Sequence, residues 1–97
     1  MDNLFISDSI FEKIQTKHLV SRSEIIQCFI NRNGKLLFDN REKHKTKPPT
    51  LWFIAKTNKN RALKIVYIQS GSKVLLKSAF EPNEIESEIY RKFGGQF

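Results

Sequence analysis

Hydrophobic positions recur along this chain with two periods, and the change from one to the other divides it into elements. Near the N-terminus Ile10 and Ile14 stand four apart with Phe11 beside them. This is the stripe of a helix over about Ser9–Lys17, capped by Asp8 or Ser9. Ser21-Arg22-Ser23-Glu24 has the spacing of a capping box, in which each side chain satisfies a free backbone N–H of the other residue. A second helix therefore starts at Ser21, with Ile25, Ile26, Phe29 and Ile30 on its apolar face. Gly34 is the expected left-handed stop.

Lys35-Leu36-Leu37-Phe38 reads as a short extended or mixed segment. Residues 39–49 form a polar, basic connection, where Pro48-Pro49 excludes helix. Period two then takes over. Strands are expected at Thr50–Lys56, Arg61–Gln69 and Lys73–Phe80, joined by turns at Asn58-Lys59-Asn60 and Ser70-Gly71-Ser72. The second strand is apolar on both faces, which suits a central position. The third places Val74, Leu76 and Phe80 on one face and Lys73, Leu75, Lys77 and Ala79 on the other, the better candidate to stay open. A last helix starts at Pro82. It has Glu81 and Glu84 in its first turn, Arg91 and Lys92 in its last, and a stripe of Ile85, Ile89 and Phe93. Gly94-Gly95 ends it.

The expected architecture is thus α+β: two N-terminal helices, a small antiparallel meander of at least three strands, and a C-terminal helix. At 97 residues this is one domain spanning 1–97. Eight Phe and one Trp supply a core and argue against disorder. The longest apolar run, Leu51–Ala55, is far too short to span a bilayer. The first residues lack the basic region of a secretory signal, so a cytoplasmic protein is expected. One cysteine and two histidines make neither an internal disulfide nor a structural zinc site. The usual glycine-rich nucleotide cradles are absent, and no cofactor is expected.

Charge changes the picture more than composition does. The net charge is +7, and residues 31–64 hold ten of the seventeen basic side chains but two of the ten acidic ones. This asymmetry points to a polyanion partner. Arg41-Glu42-Lys43-His44-Lys45-Thr46-Lys47 is the densest stretch, with cations for phosphates and an imidazole that titrates near neutrality. RNA cleavage through its own 2′-hydroxyl needs a base, an acid and a cation to stabilise the transition state, and no metal. His44 suits the acid or base, and Arg41 together with Arg61 the stabilising cations, with Lys43 and Lys45 gripping phosphates. The plainer reading is a solvated basic loop.

Arg61 and Lys64 are the second constellation. They are either phosphate clamps or, respectively, a turn residue and a strand charge that deters aggregation. Alternation sets them on opposite faces of a regular strand. Lys77 is a phosphate candidate on the open face. His18 ends the first helix on its apolar side, where a dipole or capping role is the simpler account. Glu86 and Tyr90 stand four apart beside the last stripe, in the site or merely flanking the core. Trp52 is either a stacking surface or core, and Cys28 a small buried apolar residue.

Several of these segments together resemble one family. Lys17-His18-Leu19-Val20, with Glu24 following, is similar to the K-H-x-V-x-x-x-E opening of BrnT-like toxins. Arg61-Ala62-Leu63-Lys64-Ile65-Val66-Tyr67 resembles their R-x-L-x-V-V-Y strand. Lys77-Ser78-Ala79-Phe80, with a glutamate and Tyr90 downstream, resembles their I-S-A-[RY]…E…Y ending. Glu42-Lys43-His44 departs from the E-x-R that such proteins carry before the sheet. The resemblance implies the RelE/ParE superfamily of bacterial toxins, with helices packed on a small antiparallel sheet. It further implies a type II toxin: a metal-independent endoribonuclease that arrests growth and is neutralised by a cognate antitoxin. The matching positions are His18, Arg61, Ser78 and Tyr90. The alternative expectation is a non-catalytic nucleic-acid- or protein-binding module, including a gyrase-inhibiting toxin of the same superfamily.

Overall fold

Three β-rich runs separated by tight turns pair into an antiparallel meander at the centre of the fold. The computed structural model describes residues 1–39, 41 and 46–97. The meander consists of β3 (Thr50–Lys56), β4 (Ala62–Ser70) and β5 (Lys73–Phe80). Two two-residue strands extend it: β2 (Leu37–Phe38) pairs antiparallel with β3, and β1 (Leu4–Phe5) pairs parallel with β5. The sheet order is β1-β5-β4-β3-β2. With α1 (Asp8–Thr16), α2 (Arg22–Asn31) and α3 (Glu84–Phe93), this is an α+β fold. The expected bounds of β3 and β5 agree with the structure. The parallel edge strand β1 is an addition that no local pattern announced.

Neighbouring residues on a strand point to opposite faces, and the register shows which face each helix covers. Leu51 pairs with Tyr67, Phe53 with Ile65, and Ala55 with Leu63. Phe29 of α2 sets its ring edge-on to Phe53 and Tyr67, so α2 lies on this face. The other face carries Trp52, Ile54, Lys64 and Val66. Here Tyr90 of α3 packs against Trp52, with ring centroids 5.6 Å apart. Phe53, Ile54, Leu63 and Ile65 are fully buried between these layers. Each contributes roughly 1.5–3 kcal/mol of transfer free energy.

A bulge breaks the alternation of β5. Val66 pairs with Ser78 but Tyr67 pairs with Leu76, which leaves Lys77 as the extra residue. The phase of the strand therefore switches after Leu76. Ala79, not Phe80, joins Val74 and Leu76 in the core, while Ser78 and Phe80 turn to the face of Lys64. This corrects the assignment of Phe80 to the buried side and of Ala79 to the open one.

Helix termini differ from expectation in three places. Ser7, not Asp8 or Ser9, caps α1, its hydroxyl accepting from the Ile10 N–H. Asn83 caps α3 in a complete capping box with Glu86, so Pro82 lies outside the helix. Gly34 is not a left-handed stop: α2 ends at an extended Arg32, and the left-handed residue that reverses the chain after α1 is Leu19, at φ 53°. The capping box at Ser21 and Glu24 forms as the sequence indicates.

The stripe of α3 also differs. Ile85, Ile89 and Phe93 are 68%, 42% and 60% exposed, while Ser87 and Tyr90 are buried. The helix rests on the side that carries Tyr90, whose hydroxyl donates to the Lys35 carbonyl at 2.7 Å. Gly34 and Gly94 exist to admit this side chain: a Cβ on either would collide with the Tyr90 ring or hydroxyl. Gly34→Ala and Gly94→Ala are each expected to destabilise the protein by about 1–3 kcal/mol through overpacking. Urea unfolding would measure this. Gly71→Ala, at a turn with open space, tests a different cost, the left-handed φ of 60°.

Candidate functional site

The part of the second sheet face that α3 leaves uncovered is a cleft. Its inner end, a cavity of about 360 Å³, is lined by Arg41, Lys64, Lys77, Ser78, Phe80 and Glu86 among others. A second hollow of about 400 Å³ adjoins it and shares Asp39, Arg41, Lys64 and Glu86, with Trp52 and Ile89 at its other end. The bulge is what aims Ser78 and Phe80 here.

Lys64 sits at the junction. It is 8% exposed, in the middle of a central strand, where a bare ammonium would be costly. The cost is offset three ways. Nζ donates to Glu86 Oε2 at 2.8 Å, lies 4.4 Å above the Trp52 ring centroid and stands 5.7 Å from that of Phe80. Glu86 is fixed from the opposite side, because its Oε1 accepts from the Asn83 N–H in the capping box of α3. Burial pushes the Glu86 carboxyl up. The Lys64 hydrogen bond, the Asn83 N–H and the charges of Lys64 and Arg41 outweigh it and hold the group below its usual range. Arg41 is itself held in a bidentate pair with Asp39, at 3.1 and 2.9 Å.

Of the residues singled out in the sequence, Arg41, Lys64, Lys77 and Ser78 share this cleft. His18 reaches its rim, its ring 5.5 Å from that of Phe80. Its imidazole is held below the usual value by burial and then by the charges of Lys17 and Lys13. Lys43, His44 and Lys45 lie outside the described residues.

Two candidates are elsewhere. Tyr90 is fully buried with its hydroxyl engaged by Lys35, which makes it a core residue rather than a cleft residue. Arg61 is a brace. Its Nη1 donates to the Leu19 carbonyl at 2.8 Å and to Glu24 at 3.0 Å. Its Nη2 donates to the His18 carbonyl and Glu81, each at 3.0 Å, and Nε also reaches Glu81. The β3–β4 turn aims it there, because the Thr57 hydroxyl accepts from the Arg61 N–H. One guanidinium thus ties the α1–α2 turn, α2 and the β5–α3 connection to β4. Arg61 and Lys64 stand on opposite faces, as alternation requires.

Sequence reasoning noticed Glu86 without placing it and missed Asp39 and Lys13. The legible signal for Glu86 was Asn83-x-x-Glu86, a capping spacing hidden by starting the helix at Pro82. Among the described residues no group of His, Cys, Asp and Glu could hold a metal ion, and no helix is long and apolar enough to cross a membrane. No family model, curated protein or solved structure matches this chain.

Arg61→Ala is expected to cost about 2–3 kcal/mol, the scale of lost charge-assisted hydrogen bonds. Arg61→Lys should recover little of this, since an ammonium cannot fork to four acceptors. Chemical denaturation of both variants measures the difference. Acid supplies a second test. Burial raises the Glu24 carboxyl, but the Ser21 N–H and Arg61 outweigh it, so Glu24 and Glu86 both titrate below the ordinary 4.5 when folded. Their contribution is fully present above that value and is lost as pH falls through the lower folded values. The unfolding midpoint should drop steeply there, and Glu24→Gln and Glu86→Gln should each flatten the acid limb. An acid limb unchanged in both variants would contradict the pairing.

Proposed function

We propose that this protein is a BrnT-like toxin of the RelE/ParE superfamily: a metal-independent endoribonuclease of a type II toxin–antitoxin system. It acts in the cytoplasm and is neutralised by a cognate antitoxin. The observation that carries the reading is the convergence of Arg41, Lys64 and Lys77 with the carboxylates of Glu86 and Asp39 on an open sheet face. The resemblance in sequence order and the excess of positive charge add support.

The chemistry follows from the pair at the centre. With a scissile phosphate against Arg41 and Lys77, the Glu86 carboxylate takes the proton of the 2′-hydroxyl. The 2′-oxygen bonds to phosphorus and the bond to the 5′-oxygen breaks. The Lys64 ammonium supplies the proton that this leaving oxygen needs. The products are a 2′,3′-cyclic phosphate and a 5′-hydroxyl. A proton then passes from Glu86 back to Lys64 across their 2.8 Å contact and restores the starting state. Arg41 and Lys77 stabilise the charge on the pentacoordinate phosphorus. Arg61 contributes by holding the scaffold, and His44 enters the test as an independent acid–base candidate.

A second reading, a binding module without catalysis, is favoured by the completeness of the Lys64–Glu86 pair, which needs no substrate to be satisfied. Purified protein incubated with RNA in EDTA separates the two. Cyclic-phosphate ends are expected, with Glu86→Gln and Arg41→Ala each slowing cleavage about 100-fold or more, the scale of one acid–base or one electrostatic contribution. His44→Ala should fall by a similar factor if its imidazole takes part. Binding without cleavage by the unsubstituted protein would establish the module and sink the nuclease.

A further inference from the structure

The cations of the cleft divide into two kinds. Arg41 is paired with Asp39, and Lys64 with Glu86. Lys13 and Lys77 line the same cavity, and among the described residues neither ammonium has a carboxylate partner. They reach it from different elements. Lys13 comes from α1, and Lys77 is the residue that the bulge of β5 leaves outside the ladder. Ser78 adds a hydroxyl to the lining of the same cavity. A bulge re-aims a side chain at the expense of pairing, which is a poor use of a strand that serves only the fold. Lys13 also stands near the His18 imidazole, which lies against Phe80 and is held below its usual value by burial first and then by the charges of Lys17 and Lys13.

We propose that Lys13 and Lys77, with the Ser78 hydroxyl, form a second phosphate subsite beside the reacting centre, so that the ligand is a single RNA strand bound through at least two phosphates. The proposal rests on the reading of the cleft as an RNA site and names the part of it that holds the strand, with Lys77 serving both this subsite and the reacting centre. The physical reason is the state of each cation before binding. A paired cation must give up a carboxylate to take a phosphate. An unpaired one exchanges only water and a counterion, so its contribution appears directly as counterion release. Lys13 is then the anchor, and Lys77 is shared between grip and reaction.

The test uses the full chain and a fluorescent 2′-O-methyl RNA ten-mer, which lacks the nucleophile and cannot be cut. Affinity is measured by anisotropy over a salt series for the unsubstituted protein and for Lys13→Ala, Lys77→Ala, the double variant and Lys92→Ala. Lys92 lies on α3, away from the cleft lining, over the Phe93 ring. Lys13→Ala and Lys77→Ala should each weaken binding several-fold at low salt. Each should also lower the slope of log affinity against log salt by about 0.7, the value for one phosphate contact on a single strand. Lys92→Ala should leave both unchanged. Both lysines are exposed, so unfolding midpoints should not move, and Lys13→Glu provides a second variant with a larger effect. A Lys13→Ala slope equal to that of the unsubstituted protein would overturn the subsite. Cleavage of unmodified RNA in EDTA is scored separately. Slope changes without any cleavage would uphold the subsite and remove the nuclease reading. No salt-dependent binding of the ten-mer at all would remove both.

Discussion

A lysine in the middle of a central strand has to be reconciled with the apolar core around it, and the way Lys64 is reconciled organises the rest of the molecule. Its ammonium requires a carboxylate, and Glu86 supplies one from α3 at 2.8 Å. The same carboxylate closes the capping box of that helix, so one group terminates α3, docks it and neutralises the buried charge. A buried pair of this kind contributes little net stability, because desolvation consumes most of the attraction. Its effect is positional. It sets α3 over Trp52 and Ile54, and leaves Val66, Ser78 and Phe80 uncovered beside it.

The cleft is the remainder of that placement. A small sheet with helices on one face and a single short helix on the other must leave part of the second face open. The bulge at Lys77 decides what that part displays. Without it, Ser78 and Phe80 would face the core and Ala79 the cleft, and Lys64 would lose the Phe80 ring beside its ammonium. Arg61 holds the opposite side of the sheet in order by satisfying two backbone carbonyls and two carboxylates from three segments. Arg61 and Lys64 are thus separated onto opposite faces by the pleat of the sheet.

Under the proposed function, bound charge and free charge have different duties. The paired groups, Lys64 with Glu86 and Arg41 with Asp39, keep fixed geometry in the absence of any ligand, which is the preorganisation that acid–base chemistry on a phosphate needs. Among the described residues Lys13 and Lys77 have no carboxylate partner, which suits the proposed attachment of a flexible strand. Ile85 and Phe93 are exposed and line neither part of the cleft, while Ile89 borders its second hollow.

Local chemistry was enough to read β3 and β5 to their ends, the capping box of α2, the α+β layering and the separation of Arg61 from Lys64. These depend on periodicity, turn residues and alternation, all of which act between near neighbours. Arg41 was legible as a candidate from its basic run, Lys64 as a charge within an apolar strand and Lys77 as a cation on the open face, whereas Ser78 was marked only by the family resemblance. Long-range contacts settled everything else. The parallel pairing of β1 with β5 joins segments at opposite ends of the chain. The bulge has no residue that announces it and reverses the facing of Phe80. Burial of Tyr90 in place of the Ile85 stripe follows from the room that Gly34 and Gly94 leave, far apart in sequence. Arg61 became a brace, rather than a clamp on a ligand, once folding brought it two carbonyls and two carboxylates. A side chain's neighbours along the chain fix its conformational preference. The side-chain hydrogen-bond partners of Arg61, Lys64 and Tyr90 come from residues twenty to fifty-five positions away, and no local pattern encodes those.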